Sequence, residues 1–288
     1  MKTSRHKKKY IILLCIGLIG IFLAIWTIWS NKALMVSEIS ISSDRLPSSF
    51  SGYRIAHISD LHNTQFGEEN ATLLQMLSEL QPDIIVITGD LIDAQHTDVE
   101  VAICFAQKAI QIAPVYYVTG NHEASSSQYD TLKTELKDMG VTVLEDEIAY
   151  LEQDGEVIVL LGIDDPNFNI KGNLFDEVPA MVSTKLKSML EYDTVYSVLL
   201  SHRPEVFETY VACGVDLVLS GHAHGGQFRL PLIGGLIAPN QGLFPKYDAG
   251  LYTDGITNMV VSRGLGNSII SFRFNNRPEV VLVKLNAE

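Results

Sequence analysis

Cysteine is scarce in this sequence of 288 residues, which holds only Cys15, Cys104 and Cys213. Three thiols at irregular spacing exclude a disulfide framework and a thiolate metal site, and they assign no compartment. Isolated buried thiols are the expectation. Positive charge is scarce too, except at the start. Lys2, Arg5, Lys7, Lys8, Lys9 and Lys32 are six of the 21 basic residues, while the first of the 34 acids is Glu38, so the chain from Ala33 onward carries a net charge of −19. Such a surface repels a polyphosphate backbone and argues against general nucleic-acid binding. No mid-chain linker, internal repeat or low-complexity segment is visible. With 47% hydrophobic content, a single domain over residues 53–288 with one sizeable core is expected.

Charge is also missing from Ile11 to Trp29, and about 20 apolar residues are what a helix needs to cross a bilayer. The basic segment 1–10 before this run and the solitary Lys32 after it predict a cytoplasmic N-terminus, a membrane anchor over 11–29 and the remainder outside. Tyr10, Trp26 and Trp29 stand where interfacial aromatics belong. A cleaved signal peptide is the competing reading. The run is long for one, Ser30-Asn31-Lys32-Ala33 is a poor cleavage site, and Leu14 before Cys15 does not suit lipidation. Twin arginines are absent. Residues 30–52 are Ser-rich with one proline and read as a tether, with a possible edge strand around Val36, Ile39 and Ile41.

Beyond the tether the pattern alternates. Apolar, β-branched runs at Arg54–Ile58, Asp83–Thr88, Val115–Thr119, Val157–Gly162, Val195–Leu200 and Asp216–Leu219 are separated by helical periodicity at 68–81, 98–112, 126–139, 179–191 and 204–213. From Gly226 onward glycine and proline become frequent, and strands at Met259–Ser262 and Val280–Leu285 follow without helices between them. The fold class is therefore α/β, with two packed sheets flanked by helices rather than one doubly wound sheet.

Five polar clusters punctuate this pattern: Asp60-Leu61-His62, Gly89-Asp90, Gly120-Asn121-His122-Glu123, Ser201-His202 and Gly221-His222-Ala223-His224. Strand ends are where α/β proteins gather ligands, because the following loops converge on one edge of a sheet. Each cluster alone is ordinary: a turn, a cap or a solvated histidine. Five in succession point to a metal site. Imidazoles and carboxylates without thiolate suit Mn²⁺, Fe²⁺, Co²⁺ or Zn²⁺. The set is large enough for two divalent ions, one held by Asp60, His62 and His224, the other by Asn121, His202 and His222, with Asp90 between them.

The order of these clusters resembles that of the calcineurin-like metallophosphoesterases, over Arg54 to His224. Gly221-His-Ala-His-Gly-Gly-Gln227, Ser201-His-Arg-Pro204 and Ser262-Arg-Gly-Leu-Gly266 further resemble the membrane-associated bacterial phosphodiesterases of that superfamily. The resemblance implies a four-layer αββα sandwich with the same sharing of ligands, and a phosphoester substrate hydrolysed by a metal-bridging hydroxide. His122, beside the ligand candidate Asn121, is then the candidate general acid. Asp93 resembles the carboxylate that orients such a histidine, although a surface loop acid would look the same.

Other polar residues carry two readings each. Glu123 is either a brace behind the ligands or, the preferred reading, an acid at a helix start. Arg203 either contacts phosphate, as a substrate-binding residue, or braces a neighbouring acid. His57, inside a strand, reads as a packing or hydrogen-bonding residue, and His6 and His96 as surface residues. Gly225-Gly226-Gln227 allows close backbone approach. The stretch Leu230–Phe244 reads as a core hairpin, with a substrate- or membrane-facing loop as the alternative, and loops 164–178 and 230–250 are candidates for substrate selection. The expected activity is hydrolysis of a lipid-linked, cell-envelope or nucleotide phosphoester, favouring a diester. Phosphomonoesterase, protein phosphatase and a metal-binding interaction module are the alternatives.

Overall fold

The computed structural model describes residues 2–169, 177–190, 195–267 and 270–288, with side chains from Lys7 onward. Helix α1 (Lys2–Lys32) runs on through the apolar segment and is followed after two residues by strand β1 (Met35–Ser43). Residues 30–52, expected to be a tether, are thus structured. The reason is pairing: β1 runs parallel to the last strand, β16 (Glu279–Ala287), in register from Met35↔Glu279 to Ser43↔Ala287. Backbone groups that would be solvated in a tether are satisfied in a ladder.

The first sheet has the order β1-β16-β2-β3-β4-β5, its remaining strands being β2 (Arg54–Ile58), β3 (Ile84–Thr88), β4 (Val115–Val118) and β5 (Thr142–Val143). Helices α2 (Ala71–Glu79), α3 (Val99–Ala109), the short α4 (Asn121–Ser125) and α5 (Tyr129–Asp138) punctuate it. The second half adds β6 (Glu147–Gln153), β7 (Glu156–Gly162), α6 (Val178–Leu190), β8 (Ser197–Leu200), α7 (Phe207–Cys213) and β9 (Leu217–Ser220). Two small hairpins follow: β10 (Arg229–Leu230) with β11 (Gly234–Gly235), and β12 (Ile237–Ala238) with β13 (Gly242–Leu243). Strands β14 (Gly250–Asp254) and β15 (Thr257–Val261) complete a second sheet of order β14-β15-β9-β8-β7-β6.

Period-two alternation builds the layers. In β2 and β3, Ile55, Ile84 and Val86 face the second sheet while Ala56, Ile58, Ile85 and Ile87 pack beneath the helices. In β8 and β9, Val198, Leu200, Leu217 and Leu219 meet the first sheet, and Leu199 and Val218 pack against α6 and α7. Three apolar cores therefore separate four layers, helices outside and sheets within. The two central sheets are buried on both faces, which is why their strands read as unbroken apolar runs.

Strands β2, β3 and β4 are parallel neighbours, as are β8 and β9. Each of these five strands is followed by one polar cluster, so the clusters meet at one edge of the sandwich. The expected core hairpin at Leu230–Phe244 is a correction: Leu232, Ile233, Leu243 and Phe244 are exposed, and of this stretch only Ala238 enters the outer core. Two-residue strands cover too little area to close over their own tips.

Candidate metal centre

The turns after the strands are sharp. Asp60, His62, Asp90, His222 and His224 all have left-handed backbones, with φ of 53°, 45°, 51°, 66° and 47°, a conformation that costs non-glycine residues free energy and gathers at functional sites. Cross-loop hydrogen bonds hold it: Asp60 N–H donates to Gly89 O and His62 N–H to Asp90 O, both at 3.0 Å. Gly89 has φ 85°, and a Cβ there would stand 2.7 Å from Gly120 Cα. Glycine lets the two loops touch.

Glu123 braces the group from behind. Fully buried, it accepts from Asp90 N (2.8 Å), Gly120 N (2.7 Å), Leu91 N (2.8 Å) and Ile92 N (3.2 Å). This is the less favoured of its two sequence readings. A glutamate at a helix start is common, and only the fold reveals that the β3–α3 loop wraps it. Burial and then the Asp90 charge push Glu123 up to about 7, against the pull of its backbone donors.

Nitrogen and oxygen donors converge in front. Among the described residues, Asp60, His62, Asp90 and His224 form one group and Asp90, His202 and His222 another, with donor atoms within 4.8 Å of each other in each. Asp90 belongs to both. Its Oδ1 accepts from His122 N at 2.8 Å, while its Oδ2 lies 3.6 Å from His62 Nε2 and 3.2 Å from His202 Nε2. His62 Nε2 and His224 Nε2 stand 3.2 Å apart, as do His202 Nε2 and His222 Nδ1. His202 Nδ1 lies 2.7 Å from Thr88 O, which puts a proton on Nδ1 and turns Nε2 towards Asp90.

The chemistry of this donor set fits cations. Burial strips His62 and His222 of charge, leaving neutral imidazoles. Burial also opposes a charged His202, but the Asp90 carboxylate overrides it and raises the imidazole to about 10. The protein alone thus recruits a proton where a metal would put positive charge. Asn121 Oδ1, directly after the Gly120 turn, is buried with no hydrogen-bond partner, and an orphaned buried carbonyl oxygen is what a ligand atom looks like without its ion. The structure brings together six of the residues that the spacing singled out, Asp60, His62, Asp90, His202, His222 and His224.

His122 joins a third group with His62 and Asp93. Its ring packs edge-on to His62 with centroids 4.4 Å apart. Nδ1 of His122 accepts from Ala94 N at 2.9 Å and lies 3.5 Å from Asp93 Oδ2. Asp93 is shared: the same oxygen is 3.7 Å from His62 Nδ1, an otherwise unpartnered buried nitrogen. These residues open onto a cavity of about 330 Å³ that also touches Asn63, Gln95, His96, Asn267 and Ser271.

Arg203, the candidate phosphate contact, is buried and engaged. Its Nε and Nη2 donate to Asp165 at 2.5 and 2.9 Å, and its Nη1 lies 2.9 Å from His222 Nε2. The bracing reading is the one the geometry favours, because a bidentate carboxylate already fills the guanidinium fork. Asn240, on the β12–β13 hairpin, stands 3.1 Å from the same His222 nitrogen, and buried Arg273 stands 3.4 Å from His224 Nδ1. No sequence signal pointed to either. His57 is buried, 2.8 Å from Thr88 Oγ1, and burial lowers it to about 3, a neutral packing residue as expected. His96 is exposed. His6 lies outside the described side chains and 170–176 of the candidate selection loop outside the described residues.

The family model described as calcineurin-like phosphoesterase matches residues 53–226. An uncharacterized metallophosphoesterase of Bacillus subtilis (strain 168), YkuE, is 31% identical over 259 residues, spanning 87% of this chain and 85% of that protein. The phosphodiesterase YaeI of Escherichia coli (strain K12) is 27% identical over 239 residues, 81% of this chain and 82% of its own. Among solved structures, TT1561 of Thermus thermophilus superposes with a TM-score of 0.52 at 14% identity, covering 75% of this chain and 91% of that one.

Proposed function

Because the chain belongs to the calcineurin-like phosphoesterase family, we propose that it is a membrane-anchored phosphodiesterase that uses two divalent ions. The observation that carries this reading is Asp90, whose Oδ2 lies between two donor groups. Asp60, His62 and His224 would hold one ion, Asn121, His202 and His222 the other, and Asp90 both. Mn²⁺ is the leading candidate among the divalent ions that oxygen and nitrogen donors admit, with Fe²⁺, Zn²⁺ and Co²⁺ the others. When bound, such a pair supplies Lewis-acid charge neutralisation at the phosphoryl oxygens and lowers the pKa of water.

The protein's own contribution is orientation and proton transfer. Thr88 O fixes the tautomer of His202, and Asp165 and Arg203 back His222. With Nδ1 of His122 occupied by Ala94 N–H, Nε2 carries the ring proton and is the atom that can protonate the departing oxygen. Asp93 Oδ2 lies behind both rings, on the Nδ1 edge of His122 and of His62. Helix α1, long and apolar enough to span a bilayer, anchors the domain. Its flanking charges favour an N-terminus in the cytoplasm and a site outside, where envelope phosphoesters, lipid-linked or nucleotide, are the candidate substrates.

The test is hydrolysis of bis-aryl and mono-aryl phosphate by the detergent-solubilised chain after chelation and Mn²⁺ add-back. Metal-dependent diester cleavage, abolished in Asp90→Ala and slowed about 10²–10⁴-fold in His122→Ala, is the expected result. Cleavage of the monoester alone would move the reading to a phosphatase, and inertness with every metal to a binding module.

A further inference from the structure

A second cavity, of about 580 Å³, lies beside the metal site. One wall is the last turn of the apolar helix, through Thr27, Ile28, Asn31 and Lys32. The opposite walls are direct continuations of two site loops: Thr64 to Gly67 follow the Asp60–His62 turn, and Asn267, Ser271 and Phe272 follow β15. Asn267 and Ser271 line this cavity and the His62–His122 cavity alike. The two spaces are neighbours across shared residues.

The helix is not free to swing away from this position. The Asn31 amide donates to Arg273 O and accepts from Arg273 N, both at 2.7 Å, as a strand partner would. Arg277 covers the Trp29 ring at 4.9 Å and donates through Nε to Ala33 O at 2.8 Å. Gln227, three residues after His224, holds the other side by donating to Ile270 O and Phe272 O at 2.9 and 2.7 Å. A fixed joint between anchor and domain sets the site's height above the membrane.

That height is low. Thr27 and Ile28 belong to the last turn of the uncharged run Ile11–Trp29, and at about 1.5 Å per residue Ile28 sits roughly 6 Å along the axis from Lys32. The cavity therefore opens where headgroups meet the first methylenes. Its lining is amphiphilic in the same sense: Ile28, Phe66 and Phe272 are apolar, and Lys32, Gln65 and Asn267 can meet polar or anionic groups.

We propose that the substrate is a lipid phosphoester of the same leaflet, whose phosphate sits over His62 and His122 while the start of its hydrocarbon chain occupies the cavity between helix α1 and Phe66 and Phe272. This rests on the phosphoester-hydrolase reading and narrows it.

The full chain, reconstituted in phosphatidylcholine vesicles with Mn²⁺, is given two 4-nitrophenyl phosphodiesters that share a leaving group, one with an ethyl and one with a hexadecyl second ester. The hexadecyl ester is expected to have a kcat/KM at least about tenfold higher. Phe272→Glu is expected to bring the ratio towards one, while Ile256→Ser, in the exposed β14–β15 turn outside the cavity, keeps it. A ratio near one in the unaltered chain, or one that survives Phe272→Glu, overturns the proposal and leaves the hydrolase reading intact. Loss of activity on both esters counts against the hydrolase reading instead. A second measurement then decides the cavity without turnover: an alkyl phosphate with a photoreactive diazirine near its head should label peptides containing Phe66 or Phe272, and labelling confined to residues 11–25 overturns the proposal.

Discussion

Glu123 closes the β3–α3 loop through its side chain alone. Four backbone N–H groups point at one buried carboxylate, and removing an acceptor from buried donors costs about 1–3 kcal/mol each. Glu123→Ala is therefore expected to lose at least about 3 kcal/mol, read from urea unfolding of the metal-loaded protein, and to bind less than two ions per chain. Full metal content with unchanged stability would remove Glu123 from its bracing role. Asp164 shows the opposite balance. Burial, followed by the charges of Asp146 and Glu145, raises its carboxyl to about 6, although Thr119 donates to it at 2.8 Å. The folded state thus binds a proton more tightly than the unfolded chain, so stability from this group is greatest below pH 4 and is lost as pH rises to about 6. Asp164→Asn keeps the acceptor for Thr119 and removes the charge. Its Tm is expected to rise by about 2–4 °C at pH 7.5, with the gain shrinking towards zero at pH 4. A gain independent of pH would point to another cause.

At the scale of elements, strand β1 does more than connect. Strand β16 is buried along most of its length and pairs β1 on one side and β2 on the other. Without β1 it becomes an open, apolar edge. A chain starting at Ala33 is expected to be soluble and monomeric in size-exclusion chromatography with light scattering, and one starting at Arg45 to aggregate. Equal behaviour would make β1 dispensable. The sequence signal for β1 was weak because only Ile41 of its residues is fully buried, so its alternation is masked by polar neighbours. Strands β6 and β14 went unforeseen for the same reason. Both are edge strands whose residues are mostly exposed or half-buried, and half-buried edges carry little hydrophobic periodicity. Central strands β3, β8 and β9 are buried throughout and stood out as apolar runs.

For the whole molecule the decisive relation is between anchor and site. The residues of α1 from Tyr10 to Trp29 expose large apolar side chains that the domain leaves uncovered. The full chain is expected to remain in the membrane fraction after alkaline carbonate extraction, whereas release into the supernatant would reduce α1 to a removable segment. In intact cells, protease added from outside is expected to digest the domain and spare the N-terminus. The reverse pattern would invert the proposed orientation.

The candidate ligands could be read from sequence because each follows an apolar strand, and strands separated by helices must run parallel and end together. The two-sheet fold was legible for a similar reason, since alternation of buried faces is local. What only the tertiary structure decided was which atoms meet. Asp90 between two histidine groups, Glu123 under four amides, Arg203 turned to Asp165 and Asn31 clasping Arg273 join residues from separate turns of the chain. Local propensity carries no record of such distances; they follow from how two sheets pack and how five loops fold over one edge.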